Sequence, residues 1–128
     1  MKKCTKCKIE KTETGFYKFS YASDGLHSWC KLCLIIGIKD AYLRRLYGID
    51  LKKYEEILIS QDGGCAICNK KEDTFLPLHN HRKSLAVDHN KLTGKIRGIL
   101  CENCNRGIGL LNHDIKLLEK AIEYLNQF

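Results

Sequence analysis

Four Cys-x-x-Cys pairs punctuate this 128-residue chain: Cys4/Cys7, Cys30/Cys33, Cys65/Cys68 and Cys101/Cys104. Nothing else in the sequence restricts the fold as strongly. A two-residue gap lets both thiolates of one turn reach a single tetrahedral ion, and two such pairs complete a four-cysteine zinc site. Four pairs therefore predict two structural zinc sites. A disulfide framework would not show this regularity, and a thioredoxin-type redox site needs one pair rather than four. Iron–sulfur ligation and disulfides are the remaining competitors. The first two pairs are separated by 22 residues and the last two by 32. Sequential pairing, with Cys4, Cys7, Cys30 and Cys33 in one site and Cys65, Cys68, Cys101 and Cys104 in the other, is the simpler closure. An interleaved arrangement, first pair with third, stays open.

The length fits one domain, or a small domain beside a satellite module. No apolar run follows the opening MKKCTKCKIEK, so no signal peptide is expected. No window approaches the ~18 continuous apolar residues of a membrane span. The sequence thus predicts a soluble, cytoplasmic protein with no membrane partner. The formal charge of +7 falls to about +3 once two four-thiolate zinc sites, each carrying a net −2, are counted. Its distribution says more than its total. Arg82, Lys83, Lys91, Lys95, Arg97 and Arg106 crowd one stretch against only Asp88 and Glu102.

Between the cysteine modules, Ile35, Ile38, Tyr42 and Leu46 recur at helical spacing, with Gly48 as a stop. Asp50 reads as the N-cap of a second helix over Leu51, Tyr54, Ile57 and Leu58, which "QDGGC" (61–65) then breaks. At the far end, Asp114 caps a helix whose Ile115, Leu118, Ile122 and Leu125 repeat at 3-4-3 spacing. That stripe packs on its own domain or forms the seam of a homodimer. The aromatics Phe16, Tyr17, Phe19, Tyr21 and Trp29 stand among lysines in the first module. A module so small needs them as core, although they could also stack on bases.

The stretch VDHNKLTGKIRGILCENCN (87–105) reads as strand, turn, strand and helix, the helix ending near Gly107 or Gly109. Gly94 is free to take positive φ in the turn, and the Cys101/Cys104 pair lies at the strand-to-helix corner. Hydrolysis of a phosphodiester needs a base for water and a cation for the charge that develops. Histidine is a neutral base near physiological pH, and Mg²⁺ accepts a carboxylate, an amide oxygen and waters. Asp88, His89 and Asn105 supply carboxylate, imidazole and amide. Adjacent strand residues face opposite sides, so Asp88 and His89 can share a site only where regular strand geometry ends.

Taken together, "GGCAIC" (63–68), "VDHN" (87–90), "TGKIRGILCENCN" (93–105) and "AIEYL" (121–125) resemble the recombination endonuclease VII family of phage, within the HNH or His-Me finger nucleases. The resemblance covers roughly Tyr47 to Leu125. It implies an α+β fold, with a small zinc-bound ββα-metal core, flanking helices and a preceding four-cysteine module. It further implies His89 as general base, Asp88 and Asn105 as ligands of one Mg²⁺ or Mn²⁺ ion, and Cys65, Cys68, Cys101 and Cys104 as structural zinc ligands. The expected activity is metal-dependent endonucleolytic cleavage of DNA, with branched junctions suggested as substrate and a homodimer as the acting form. The expected division is a zinc module over 1–36, a helical connector over 37–60 and the nuclease domain over 61–128. The family pattern often reads Asp-His-Asp-His, where this chain has Asp88, His89, Asn90 and Lys91, which puts any acid role at Lys91 in doubt.

Lys91, Lys95, Arg97 and Arg106 are the expected DNA contacts, being basic and close in sequence to the site. His79 and His81 read as loop polar groups or DNA contacts rather than metal ligands. His27 and His113 receive no role. Two alternatives remain: a restriction, homing or nicking endonuclease of the same finger type, and a zinc-knuckle nucleic-acid-binding protein without catalysis. An RNA-targeting or toxin nuclease of this type is a third.

Overall fold

A computed structural model of the chain describes residues 1–71 and 85–128. His79 and His81 lie outside the described residues. The described residues form two compact units, one over Met1–Leu51 and one over the described residues between Lys52 and Phe128.

In the first unit, a ribbon of β1 (Lys2–Lys3) and β2 (Glu10–Lys11) carries the Cys4–Cys7 turn at its tip. The Cys4 N–H donates to Ile9 O (3.0 Å) and the Lys8 N–H to Cys4 O (2.9 Å). A hairpin of β3 (Phe16–Lys18) and β4 (Leu26–Cys30) follows and runs directly into α1 (Lys31–Tyr47). The core is minimal, with Cys4, Phe16 and Cys30 buried and Cys7, Leu26, Trp29 and Cys33 around them. Gly37 lets α1 approach β4, because a Cβ there would come within 3.0 Å of the Trp29 ring. The aromatic residues do not all serve as core. Phe16 is core, whereas Phe19 and Tyr21 are 45% and 91% exposed. Lys2, Lys6 and Lys31 lie over Phe16, Trp29 and Tyr17 at 5.1–5.5 Å.

Helix α1 ends at Gly48 in the left-handed conformation, as its position predicts. The stripe Ile38, Tyr42 and Leu46 is about half exposed, and the buried residue of α1 is Leu43. Asp40 accepts from the N–H of Leu51 at 2.8 Å and from Arg44 Nε at 2.8 Å. A carboxylate reaching back from α1 thus takes the first N–H of α2 (Leu51–Ser60).

The second unit repeats the first in outline. The Cys65–Cys68 turn has Cys65 N–H donating to Lys70 O (2.8 Å) and Asn69 N–H to Cys65 O (2.9 Å). Lys8 and Asn69 take matching positive φ values of 64° and 61°. An antiparallel hairpin of β5 (Ala86–His89) and β6 (Ile96–Leu100) leads into α3 (Glu102–Leu110), which packs against β5. This is the ββα arrangement expected for the core, within an α+β chain. Cys30 and Cys101, each the N-cap of the following helix, have nearly identical backbones (φ/ψ −66/160° and −68/162°). Helix α3 runs through Gly107 and Gly109, the predicted stops, to Leu110. The chain then turns, with Asn112 N–H donating to Gly109 O and His113 N–H to Ile108 O. That pattern closes a helix with a left-handed residue, and Asn112 (φ 55°) fills the position where asparagine substitutes best for glycine. Helix α4 (Ile115–Asn126) starts on the expected cap, Asp114, whose Oδ1 accepts from Lys116 and Leu117 N–H groups.

Two clamps fix the hairpin. Tyr54 of α2, 1% exposed, donates its hydroxyl to Leu85 O at 2.8 Å. Gln61 binds the outer edge of β6 as a strand would: Oε1 accepts from Ile99 N–H (2.9 Å) and Nε2 donates to Ile99 O (2.8 Å). Gly98 makes room for it, since a Cβ there would lie 2.8 Å from Gln61 Oε1. Removing Gln61 strands the N–H of a fully buried residue, a loss of about 1–3 kcal/mol. Urea unfolding of zinc-loaded Gln61→Ala should show that loss with zinc content unchanged. Gly98→Ala should be destabilised through the clash with the same side chain.

Candidate active site

The thiol groups of Cys4, Cys7, Cys30 and Cys33 lie within 4.8 Å of one another, and so do those of Cys65, Cys68, Cys101 and Cys104. The pairs are therefore sequential, not interleaved. Cys68 and Cys101 Sγ are 3.6 Å apart, close to the ~3.8 Å edge of a tetrahedron built on metal–sulfur bonds of about 2.3 Å. Both clusters can hold a metal ion. Burial alone would raise the Cys4 and Cys65 thiols. Backbone N–H groups aimed at their sulfurs, from Cys30, Cys7 and Lys6 in one case and Cys101, Cys68 and Ile67 in the other, bring both down to about 6. Burial, and then the neighbouring thiols, push Cys33 and Cys104 up to about 12. Each cluster thus holds one thiol well below and one well above the usual thiol range, a spread that arises from burial, backbone N–H groups and the neighbouring thiols.

The Cys101/Cys104 pair forms the corner between β6 and α3. Cys101 Sγ also accepts from Cys104 N–H (3.4 Å), so one sulfur serves both as cluster member and as helix cap. Asn105 is half-buried in the first turns of α3, immediately after Cys104, and its N–H donates to Cys101 O at 2.9 Å.

At the other end of the hairpin the register slips. Asp88 faces Gly98, but His89 faces Ile96, leaving Arg97 as an extra residue on β6. Such a bulge bends the strand and increases its twist. The irregularity falls at the step where strict alternation would separate Asp88 from His89. Asp88 is the buried charged residue among those described, at 7% exposure. Both of its oxygens are engaged by Arg97, Nε to Oδ2 at 2.8 Å and Nη2 to Oδ1 at 3.0 Å. Arg97 Nη2 also lies 2.9 Å from Nδ1 of His113. A carboxylate this deeply placed is balanced by the guanidinium it faces, and its hard oxygens are of the kind that can hold a divalent ion.

Of the expected site residues, Asp88 and His89 are adjacent at the end of β5 and Asn105 lies on the helix that packs against β5. Lys91 and Lys95 are exposed at the hairpin turn. Asn90 shapes that turn, its Oδ1 accepting from Leu92 (2.9 Å) and Thr93 (3.2 Å) N–H groups. Arg106 lies 3.5 Å from Glu102 on exposed helix surface. Arg97, read from the sequence as a DNA contact, has its guanidinium on Asp88. No local pattern announces His113, because the turn that brings it to Arg97 depends on two successive left-handed residues.

Residues 40–127 match the family profile described as recombination endonuclease VII. The chain belongs to that family. The "Gene 59 protein" of Mycobacterium phage D29 is 39% identical over 82 residues, covering 63% of this chain and 46% of its own length. That of Mycobacterium phage L5 is 38% identical over 80 residues, covering 62% and 44%. The chain thus spans less than half the length of these two relatives. Among solved structures, the ββα-Me type II restriction endonuclease Hpy99I aligns at 27% identity with a TM-score of 0.41, over 97% of this chain and 64% of that one.

Because Cys33 and Cys104 keep their protons at neutral pH without metal, metal uptake by either cluster must expel them. Zinc affinity should therefore fall as pH falls, by about tenfold per unit for each proton released. Competition with a chromophoric chelator at pH 6.5 and 7.5 would measure it.

Proposed function

We propose that this member of the endonuclease VII family is a metal-dependent DNA endonuclease that hydrolyses phosphodiester bonds. The observation that carries the reading is the buried Asp88 carboxylate, already facing a cation, set beside His89 on a hairpin that turns into α3 through a four-cysteine corner. In this reading His89 takes the proton from the attacking water, and Asp88 and Asn105 hold one Mg²⁺ or Mn²⁺ ion. When bound, that ion supplies neutralisation of the charge developing on the phosphate and the leaving oxygen. Zinc occupies both four-cysteine clusters and holds the frame, taking no part in the reaction.

The chain's own groups divide the work. His89 is half-buried at the strand end, opposite the bulge of the facing strand. Asn105 is aimed by the helix that the cluster pins. Lys91 and Lys95, exposed beyond the turn, supply point charges for backbone phosphates, and Arg106 extends the basic surface from α3. The substrate we assign is branched DNA of the four-way-junction type, in phage DNA processing within the host cytoplasm. No helix of the described residues is long and apolar enough to cross a membrane.

The acting form in this proposal is a homodimer. Ile115, Ile122 and Leu125, the stripe that would otherwise pack on its own domain, are 71%, 59% and 69% exposed. A second copy of α4 is the complement such a stripe fits. Light scattering of the zinc-loaded protein should give twice the chain mass, and Ile122→Glu with Leu125→Glu should halve it. A monomeric wild type would remove the dimer from the proposal.

The activity is tested with zinc-loaded protein and Mg²⁺ or Mn²⁺, on an immobile four-way junction beside a linear duplex of the same sequences. Junction cleavage near the branch is the expected result. His89→Ala should lose about 10²–10⁴-fold in rate while retaining zinc and DNA binding. A fixed cut in the linear duplex would replace junction resolution by a restriction or homing role. DNA binding without metal-dependent cleavage of either substrate would leave a zinc-knuckle binding protein.

A further inference from the structure

Asp88 and Arg97 form an ion pair that is complete without any metal. The carboxylate is buried, both of its oxygens are taken by the two-pronged guanidinium, and the side chain of Arg97 is itself 39% exposed. This inference rests on the reading of Asp88 as a ligand of the divalent ion. On that reading, two cations have a claim on one carboxylate.

We infer that Arg97 is a built-in competitor for the metal site, held on Asp88 by His113, so that the protein takes up its divalent ion well only when nucleic-acid phosphates are present. The argument is electrostatic. A buried carboxylate needs a counter-charge, and in the free protein the guanidinium already supplies it. A dication arriving at the same oxygens meets a fixed positive charge a few ångströms away, so it must move Arg97 or bear its repulsion. Phosphates of a bound strand change the balance, because they offer Arg97 another bidentate partner and add the negative charge that both cations can share. Metal and DNA affinities are then coupled, and the coupling acts equally in both directions.

His113 is the positioning residue. Its Nδ1 lies 2.9 Å from Arg97 Nη2, and two features fix it there. Asn112 already closes α3 in the left-handed conformation, yet His113 takes that conformation as well, at φ 54°. A second left-handed residue that is not glycine is a strained choice, of the kind that gathers at functional sites. The next residue, Asp114, caps α4, so the turn is tied to a helix on each side. Arg97 in turn is available to His113 and Asp88 because it is the extra residue of the β6 bulge. Bulge and strained turn converge on one guanidinium.

A purely structural ion pair would behave differently. Breaking it would cost stability and leave metal affinity unchanged or weakened. The test is Mn²⁺ binding to the zinc-loaded protein without DNA, followed by the magnetic resonance signal of free Mn²⁺. Wild type is compared with His113→Ala, Arg97→Met and Asp88→Asn. The expected result is several-fold tighter Mn²⁺ binding in His113→Ala and at least tenfold tighter binding in Arg97→Met. Addition of a duplex, with His89→Ala in every protein to prevent cutting, should tighten Mn²⁺ binding far more when Arg97 is present than in Arg97→Met. Unchanged or weaker Mn²⁺ binding in both variants overturns the inference. Should Arg97→Met fail to fold, as circular dichroism and zinc content would show, His113→Ala decides alone. Mn²⁺ binding to Asp88→Asn at wild-type affinity would remove the metal-ligand reading itself, and the competition with it.

Discussion

The strand-to-helix corner at Cys101 is the constraint on which the second unit turns. A short two-stranded ribbon is barely stable alone, and a nine-residue helix is below the length at which helices persist in water. Cys101 joins them by contributing its sulfur both to the four-cysteine cluster and to the N–H of Cys104. With that corner fixed, Gln61 can dock on β6, α3 can lie on β5, and Asn105 acquires a definite direction. Among the described residues of this unit the buried apolar side chains are few: Tyr54, Leu58, Cys65, Leu85, Val87, Ile99, Leu100 and Cys101. The four-cysteine cluster, which can hold a metal ion, supplements the modest core of so small a unit.

The site at the hairpin's far end solves a different problem, that of keeping a charge in the interior. Asp88 is tolerated because the bulge delivers a fork-shaped cation to it. A lysine at position 97 would give one contact where arginine gives two, and a regular β6 would place that residue opposite His89 instead. The bulge therefore breaks the alternation of the strand and also brings the counter-ion within reach. Both effects follow from one extra residue.

Much of this was legible from residue order. The cysteine spacing specified two clusters, Gly48 and Asp114 marked helix ends, and the strand–turn–strand–helix order of 87–105 emerged as read. What escaped has a common physical origin. The slip that leaves Arg97 unpaired is a relation between two strands, and no local pattern in "KIRGIL" announces it. Helix α3 ends at Leu110, next to Gly109 as expected, but the hydrogen bonds that stop it close back from Asn112 and His113, beyond either glycine. The N–H of Leu51 is met by Asp40, eleven residues upstream, a reach set by the tertiary arrangement of the turn. The helical stripes of α1 and α4 were read correctly as stripes. Periodicity reports that an apolar face exists, and only packing reports whether anything covers it.

The two units use the same frame, with a cysteine turn, a hairpin and a helix capped by a cysteine. Their chemistry is not the same. Where Asn105 follows Cys104, Leu34 follows Cys33, and the β3 strand reads Phe-Tyr-Lys where β5 reads Ala-Val-Asp-His. The two units therefore share a frame but not the side chains set on it. Architecture and side-chain chemistry are thereby separable: the cysteines specify the shape, while the residues set on that shape differ from one unit to the other. A scaffold so sparsely encoded leaves most of its surface free to diverge, and the same frame can acquire or lose an active site without having to be rebuilt.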